Sequence, residues 1–383
     1  MRVLLRKLGG IGSSFPILLV LGALCVASIF IIKSATVANE ALRHAYSAQF
    51  GYLIVGAAVY LVLALTPYSI FVRVSPVLYA AAVILLVAVF IPHLGRKAYN
   101  ANSWIKVGPV GFEPTEYAKL AFILGLAWFL HLRENAIQRL STVLMAFGFT
   151  AIPFLLILKQ PALGSASVFF PICFCMLFAA GARPHHLLIP LVAVATLTVM
   201  AFYWIHVWQK PVPFLKDFQR HRIEVFFDPS LDPKGSGWQV DQSLIAIGSG
   251  GMDGKGLDEG SDTALGYMPK ATSYNDFIFA VAAELSGFRG AAALIICEGT
   301  VLLWCLWVAA RAREKTGALV VVGIMAMLFT HIFVNIGMTI RLMPVTGIPL
   351  PFISYGGTFL IACLAAMGLV QSVWVHRKNF DRI

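Results

Sequence analysis

Charge is what this sequence has least of. Of its 383 residues only 12% are Asp, Glu, Lys or Arg, against about 25% in soluble domains. Acidic residues are the scarcer half, 18 against 29 basic, which gives a formal net charge of +11. A soluble domain is excluded by the rest of the balance. Hydrophobic residues make up 59%, mean hydropathy is +0.82, and the apolar runs extend from end to end. There are six cysteines, at 25, 173, 175, 297, 305 and 363, and all lie inside apolar runs. None has a second Cys and a His at zinc spacing, and Cys173 and Cys175 fall on different helix faces. They read as small packing residues, with no disulfide framework and no metal site. No Walker pattern follows any glycine cluster. No nucleic-acid partner is expected.

What is present is membrane-spanning helix. A span needs about 20 mostly apolar residues. On that rule ten spans are expected, near 15–33, 49–67, 75–93, 115–132, 140–158, 163–181, 185–206, 277–310, 316–341 and 352–375. Arg2, Arg6 and Lys7 precede the first run as in a signal peptide. That run is long enough to span and no small-residue cleavage site follows it, so it is read as a retained helix. The eighth run contains Gly287-Phe288-Arg289-Gly290 and is either a short re-entrant piece followed by a full span or one bent helix. The fold class is therefore an all-α polytopic membrane protein.

Lys and Arg in the short loops orient it. Arg73, Arg133, Arg139, Arg183, Arg311, Arg313 and Lys315 fall on one side with both ends of the chain, which places both termini in the cytoplasm. The long interval 207–276 is then outside, between spans seven and eight. The outer face is itself rich in cations: Arg96, Lys97 and Lys106 in a short loop, and Arg220, Arg222, Lys234, Lys255 and Lys270 in the long one. Long loops translocate regardless of charge, which accounts for the second set. An anionic ligand at the outer leaflet accounts for both.

Several outer residues carry two readings each. Pro114 suits the first turn of a helix, and Glu116 and Lys119 then lie three apart on one face. They are a structural ion pair or, at the membrane edge, functional groups. Trp104 reads as an interfacial anchor. Val240 to Ile247 reads as a short amphipathic helix with Gln242 and Ser243 on its polar side, broken by Gly248-Ser249-Gly250-Gly251. Asp276 stands where the polar interval meets Phe277-Ile278-Phe279. It caps that helix, or it is a general base partly shielded from water. Glu284 and Glu298 lie deeper, with Arg289 as a partner for either. Pro344 to Gly357 holds too many Pro and Gly for an ordinary helix, so it lines a cavity or is buried in protein. Broken segments of that kind also mark transporters.

Several strings match one family. They are Glu113-Pro114-Thr115-Glu116-Tyr117-Ala118-Lys119, Lys159-Gln160-Pro161-Ala162-Leu163-Gly164, and Gln219-Arg220-His221-Arg222-Ile223 with Asp228-Pro229. They continue with Ala246-Ile247-Gly248-Ser249-Gly250-Gly251, Asp276-Phe277-Ile278-Phe279-Ala280, Asn335-Ile336-Gly337-Met338, and Pro349-Leu350-Pro351-Phe352-Ile353-Ser354-Tyr355-Gly356-Gly357. Across essentially its whole length the chain resembles the shape, elongation, division and sporulation (SEDS) glycosyltransferases, and the elongation branch more than the division branch.

The resemblance implies one integral domain over 1–383, with 207–276 as its extracytoplasmic loop, in the bacterial cytoplasmic membrane. It implies polymerisation of lipid II into peptidoglycan strands during elongation and rod-shape maintenance. The implied partners are a class B penicillin-binding transpeptidase and other membrane proteins of the elongation complex. The family's essential outer-loop Asp maps onto Asp276. In the expected chemistry Asp276 takes a proton from a sugar hydroxyl, and Lys119, Arg222, Lys255 and Lys270 hold the pyrophosphate. Glu116, Trp104, Gln242, Ser243 and Ser354 complete the expected substrate contacts. No cofactor is expected, and no ligand cluster supports a divalent cation at the pyrophosphate. The chain departs from the family at Ser103, where an Arg is usual, and at Ala162, where an Asp is usual. It departs again across Lys270 to Asn275, a longer run without the usual Glu and His. A flippase for the same lipid, and a non-catalytic scaffold of the elongation or division machinery, are the alternative readings.

Overall fold

The computed structural model describes residues 14–36, 42, 44–91, 95–98, 101–107, 110–208, 217–233, 235–256 and 273–377. Helices occupy all ten expected spans. They are α1 (Phe15–Thr36), α2 (Ala45–Leu65), α3 (Tyr68–Ala88), α4 (Pro114–Leu132) and α5 (Leu140–Lys159). The sixth span is a pair, α6 (Leu163–Ser167) and α7 (Phe169–Ala180), and α8 (Pro184–Trp208) follows it. Two shorter helices lie in the long outer interval, α9 (Asp217–Phe227) and α10 (Ser236–Ser249). Then come α11 (Ile278–Ala310), α12 (Lys315–Thr339) and α13 (Gly357–Val375). Among the described residues, eight of the spans are long and apolar enough to cross a membrane by length and composition alone. The other two are α4, which carries Glu116 and Lys119, and α8.

The bundle has an inside and a lipid-facing outside. The apolar stretch of α13 is 94% buried and that of α12 is 72%, while α2 and α3 are 22% buried. So α12 and α13 form the centre, and the helices around them turn apolar side chains such as Ile54, Val62 and Ile84 outward. In a bilayer that exposure carries no hydrophobic penalty. The longest pairings run between α13 and α2, α3 and α4, and α12 with both α7 and α11.

One element was not expected. The loop between the third and fourth spans forms an antiparallel sheet of β1 (Gly95–Ala98), β2 (Ala101–Val107) and β3 (Val110–Phe112). Arg96 pairs with Trp104, Ile105 with Phe112 and Val107 with Val110. Strands of three to seven residues give no long apolar run, so hydropathy does not reveal them. The alternation of Trp104, Ile105, Lys106 and Val107 is the only local signal. Ile105 is buried, and Phe112 stacks on Tyr117 at 4.9 Å, which ties the sheet to the start of α4.

The eighth span is broken. Gly287 sits at φ 64, ψ −166 inside α11, a backbone state open to glycine and to little else. The loop after α10 plugs that break. Phe288 N donates to Gly251 O (2.8 Å), Arg289 N to Met252 O (3.2 Å), Lys255 N to Glu284 O (3.0 Å) and Gly256 N to Leu285 O (3.0 Å). The glycine-rich stretch is thus a hasp over a broken helix. Glu284 pairs with Lys255 at 2.7 Å, and Arg289 turns outward to Asp253. This corrects the expected pairing of Arg289 with Glu284 or Glu298, because the break at Gly287 sends Arg289 to the surface. Glu298 is fully buried, and neither carboxylate oxygen has a hydrogen-bond partner among the described residues.

Candidate active site

The turn 273–277 delivers Asp276 to the head of α11, and it is anchored one carbonyl at a time. Tyr355 N donates to Tyr274 O at 3.1 Å. Ser354 Oγ donates to Asn275 O at 2.7 Å. Asn335 Nδ2 donates to Asp276 O at 2.9 Å and also to Ile348 O at 2.7 Å. The donors come from α12 and from the proline-rich segment after it. That segment is fixed in turn: Leu350 N donates to Ser354 Oγ at 2.8 Å, and the buried Gln49 of α2 donates to Ser354 O at 3.3 Å. Buried irregular backbone must satisfy its polar groups, and here the satisfying groups converge on three consecutive residues.

The Asp276 side chain is left unengaged. Among the described residues it makes no ion pair within 4 Å. Its Oδ2 faces Gly347, where a Cβ would lie 3.5 Å away. Burial pushes its carboxyl up to about 6, against the pull of the Arg222 guanidinium. A carboxylate of that strength is ionised at neutral pH and is a better base than a free aspartate. Glu113, the residue before Pro114, lies within electrostatic reach. Burial and the neighbouring Glu116 push its carboxyl up, against the pull of Lys119.

The other expected residues are distributed as follows. Lys119 is fully buried, 2.8 Å from Glu116 and 2.8 Å from His331 Nε2. It sits below the turn, bound to its own ion pair. Ser243 is buried, and its Oγ donates to Thr339 O at 2.8 Å. This differs from the expected polar face of α10: Ser243 is turned into the protein, with Val240 and Ala246. Gln242 keeps a buried side-chain carbonyl without a hydrogen-bond partner. Lys255 lies at the hasp with Glu284. Trp104 is half-buried on β2 and packs over Gly111. Ser354 holds the Asn275 carbonyl. Lys270 lies outside the described residues. Among the described residues no group of three or more His, Cys, Asp or Glu converges as a metal site.

Two further residues matter to this geometry. Asn335 is a lone amide deep in an apolar run, which is itself a signal. Glu113, ahead of Pro114, carries no comparable local signal. Beside the turn, α9, α10 and residues 343–345 line a narrow, partly open crevice bordered by Arg222 and Arg341.

Comparison with known proteins places this arrangement. The cell cycle protein family of FtsW, RodA and SpoVE matches residues 13–379. The chain belongs to this family. Among FtsW/RodA/SpoVE relatives, the peptidoglycan glycosyltransferase MrdB of Escherichia coli (strain K12) is 36% identical over 366 residues. That alignment covers 95% of this chain and 94% of the relative. A solved chain of a peptidoglycan synthase complex, studied for its coordination of polymerization and crosslinking, is 29% identical with TM-score 0.78. It covers 95% of this chain and 98% of its own. The rod shape determining protein RodA of Thermus thermophilus is 27% identical with TM-score 0.69, over 95% and 97% of the two chains. The likeness extends over the whole bundle. This FtsW/RodA/SpoVE member is a multi-pass membrane protein.

Proposed function

We propose that this chain is a peptidoglycan glycosyltransferase that polymerises lipid II at the outer face of the cytoplasmic membrane, with Asp276 as the general base. The observation that carries the reading is the anchored turn, which holds an unengaged carboxyl near 6 at the junction of outer loop and bundle. Asp276 accepts the proton from the attacking sugar hydroxyl. The hydroxyl oxygen forms the new bond to the anomeric carbon of the second lipid-linked sugar. The bond from that carbon to the diphosphate breaks, and the electron pair leaves with the diphosphate. Arg222, near Asp276 and at the wall of the adjoining crevice, is the cation best placed for the departing charge. Lys119 acts at a distance, because its ammonium is already held by Glu116 and His331. No metal is assigned a role.

Relatives named as glycosyltransferases favour polymerisation over flipping, and the similarity to MrdB favours the elongation branch. The likeness to a chain from a polymerising and crosslinking complex supports a class B penicillin-binding transpeptidase as partner. The test is direct. Purified protein incubated with lipid II should yield glycan polymer that lysozyme digests. Unconsumed lipid II under conditions where a known relative polymerises it would contradict the reading.

A further inference from the structure

The proposed reaction uses Asp276 and Arg222 and leaves Arg341, on the same crevice, without a role. That crevice combines two guanidiniums, Arg222 on α9 and Arg341 just past α12, with apolar walls from Val225, Phe226, Val240 and Pro344. Among the described residues neither guanidinium makes an ion pair within 4 Å. The acidic groups near them are Asp276, whose charge acts on Arg222, and the surface residue Asp228, whose charge interacts with Arg341.

Arg341 is held there by unusual backbone. α12 ends on a turn in which Leu342 N and Met343 N both donate to Gly337 O, at 2.7 and 3.1 Å. Arg341 takes the left-handed position of that turn at φ 59. Glycine or asparagine ordinarily fills such a slot, because a Cβ is strained there. An arginine at a position that suits glycine, bordering the same crevice as a second arginine, points to a use for its side chain.

We propose that Arg222 and Arg341 form a diphosphate subsite, which holds the head of the polyprenyl diphosphate as it leaves and while it dissociates as product. The planar donors of arginine match phosphate oxygens, and the crevice they border opens to the outside. The crevice adjoins the base without containing it: residues 343–345 form its wall, and Gly347, two positions on, faces Asp276 Oδ2. Negative charge can therefore collect on one side of this strand while the proton is taken on the other. The proposal rests on the glycosyltransferase reading for its ligand, but the binding test below does not need turnover.

The test is binding of farnesyl diphosphate to the full-length protein in nanodiscs, compared with farnesyl monophosphate. Four proteins are measured: the parent, Arg341→Gly, Arg341→Lys and Asp276→Asn. Arg341→Gly relieves the left-handed strain, so it should melt no lower than the parent. It should bind the diphosphate about tenfold more weakly or worse, with Arg341→Lys in between. Asp276→Asn should bind at least as tightly as the parent, because a neighbouring negative charge is gone. If Asp276→Asn still polymerises lipid II, the base assignment fails while the subsite stands. Equal affinity in the parent and Arg341→Gly overturns the subsite. Equal affinity for mono- and diphosphate, with both displaced when phosphatidylglycerol replaces phosphatidylcholine, also overturns it and assigns the crevice to a membrane lipid phosphate.

Discussion

Asn335 reaches from α12 to the backbone carbonyl of Asp276, 2.9 Å from its Nδ2, and its second amide hydrogen goes to Ile348 O at 2.7 Å. One side chain therefore ties the turn that carries the base to the proline-rich segment that faces it. Asn335→Asp keeps the shape but removes both donors. Each lost hydrogen bond costs about 1 kcal/mol, more where a buried carbonyl is left unpaired. Misplacement of a catalytic group costs roughly tenfold to a hundredfold in rate. We expect a lower melting temperature in detergent and a polymerisation rate reduced by that factor. An unchanged rate would show that the tie does not position the base.

The pH profile reports on the same carboxyl. Asp276 acts as a base only when ionised, and burial holds it at about 6. Polymerisation should level off above pH 7 and fall about tenfold per unit well below 6. Arg222 favours the ionised form, so Arg222→Ala should move this acid limb to higher pH as well as slow the reaction. A limb that stays in place would remove Arg222 from the neighbourhood of the base.

The pair Glu116–Lys119 makes a prediction about stability. Both are buried in α4. Glu116→Gln removes the carboxylate that balances the buried Lys119 ammonium, and breaking a buried pair costs roughly 3–5 kcal/mol. The double change Glu116→Gln with Lys119→Met removes both charges and should recover most of that loss in thermal unfolding. If the double change is as unstable as the single one, the cost lies in packing and not in charge.

The hasp gives a fourth test. Gly254 has φ 80, and a Cβ there would collide with the Leu285 carbonyl. Gly254→Ala should open the loop from the break at Gly287, break the Lys255–Glu284 contact and lower the melting temperature. Gly248→Ala is the control, because a Cβ at Gly248 meets nothing within 4 Å. Equal effects from the two changes would refute the hasp.

The ten spans were legible because hydropathy acts over twenty residues at a time, and each expected run holds a helix. The break in the eighth was visible as Gly287 and Gly290, and the structure decides for a short piece before the long one. The β1–β3 sheet was not legible, since its strands are short and their pairing joins Gly95 to Ile105, ten positions away. Asp276 could be found as a carboxylate at a polar–apolar boundary. The anchoring of its turn could not, because Asn335, Ser354 and Tyr355 reach residues 274–276 from 59 to 81 positions further along the chain. Ser243 and Ser354 share one lesson. Each hydroxyl donates to a backbone carbonyl of a distant residue, Thr339 and Asn275, a partner that local sequence does not show.

The measurement that tests the central claim most directly is polymerisation of lipid II by purified Asp276→Asn protein, beside the parent. The substitution keeps the shape and the Asn335 tie, which goes to the backbone carbonyl. The account predicts an unchanged melting profile and no detectable glycan polymer. Polymer formed by the folded variant at the parent's rate would contradict it.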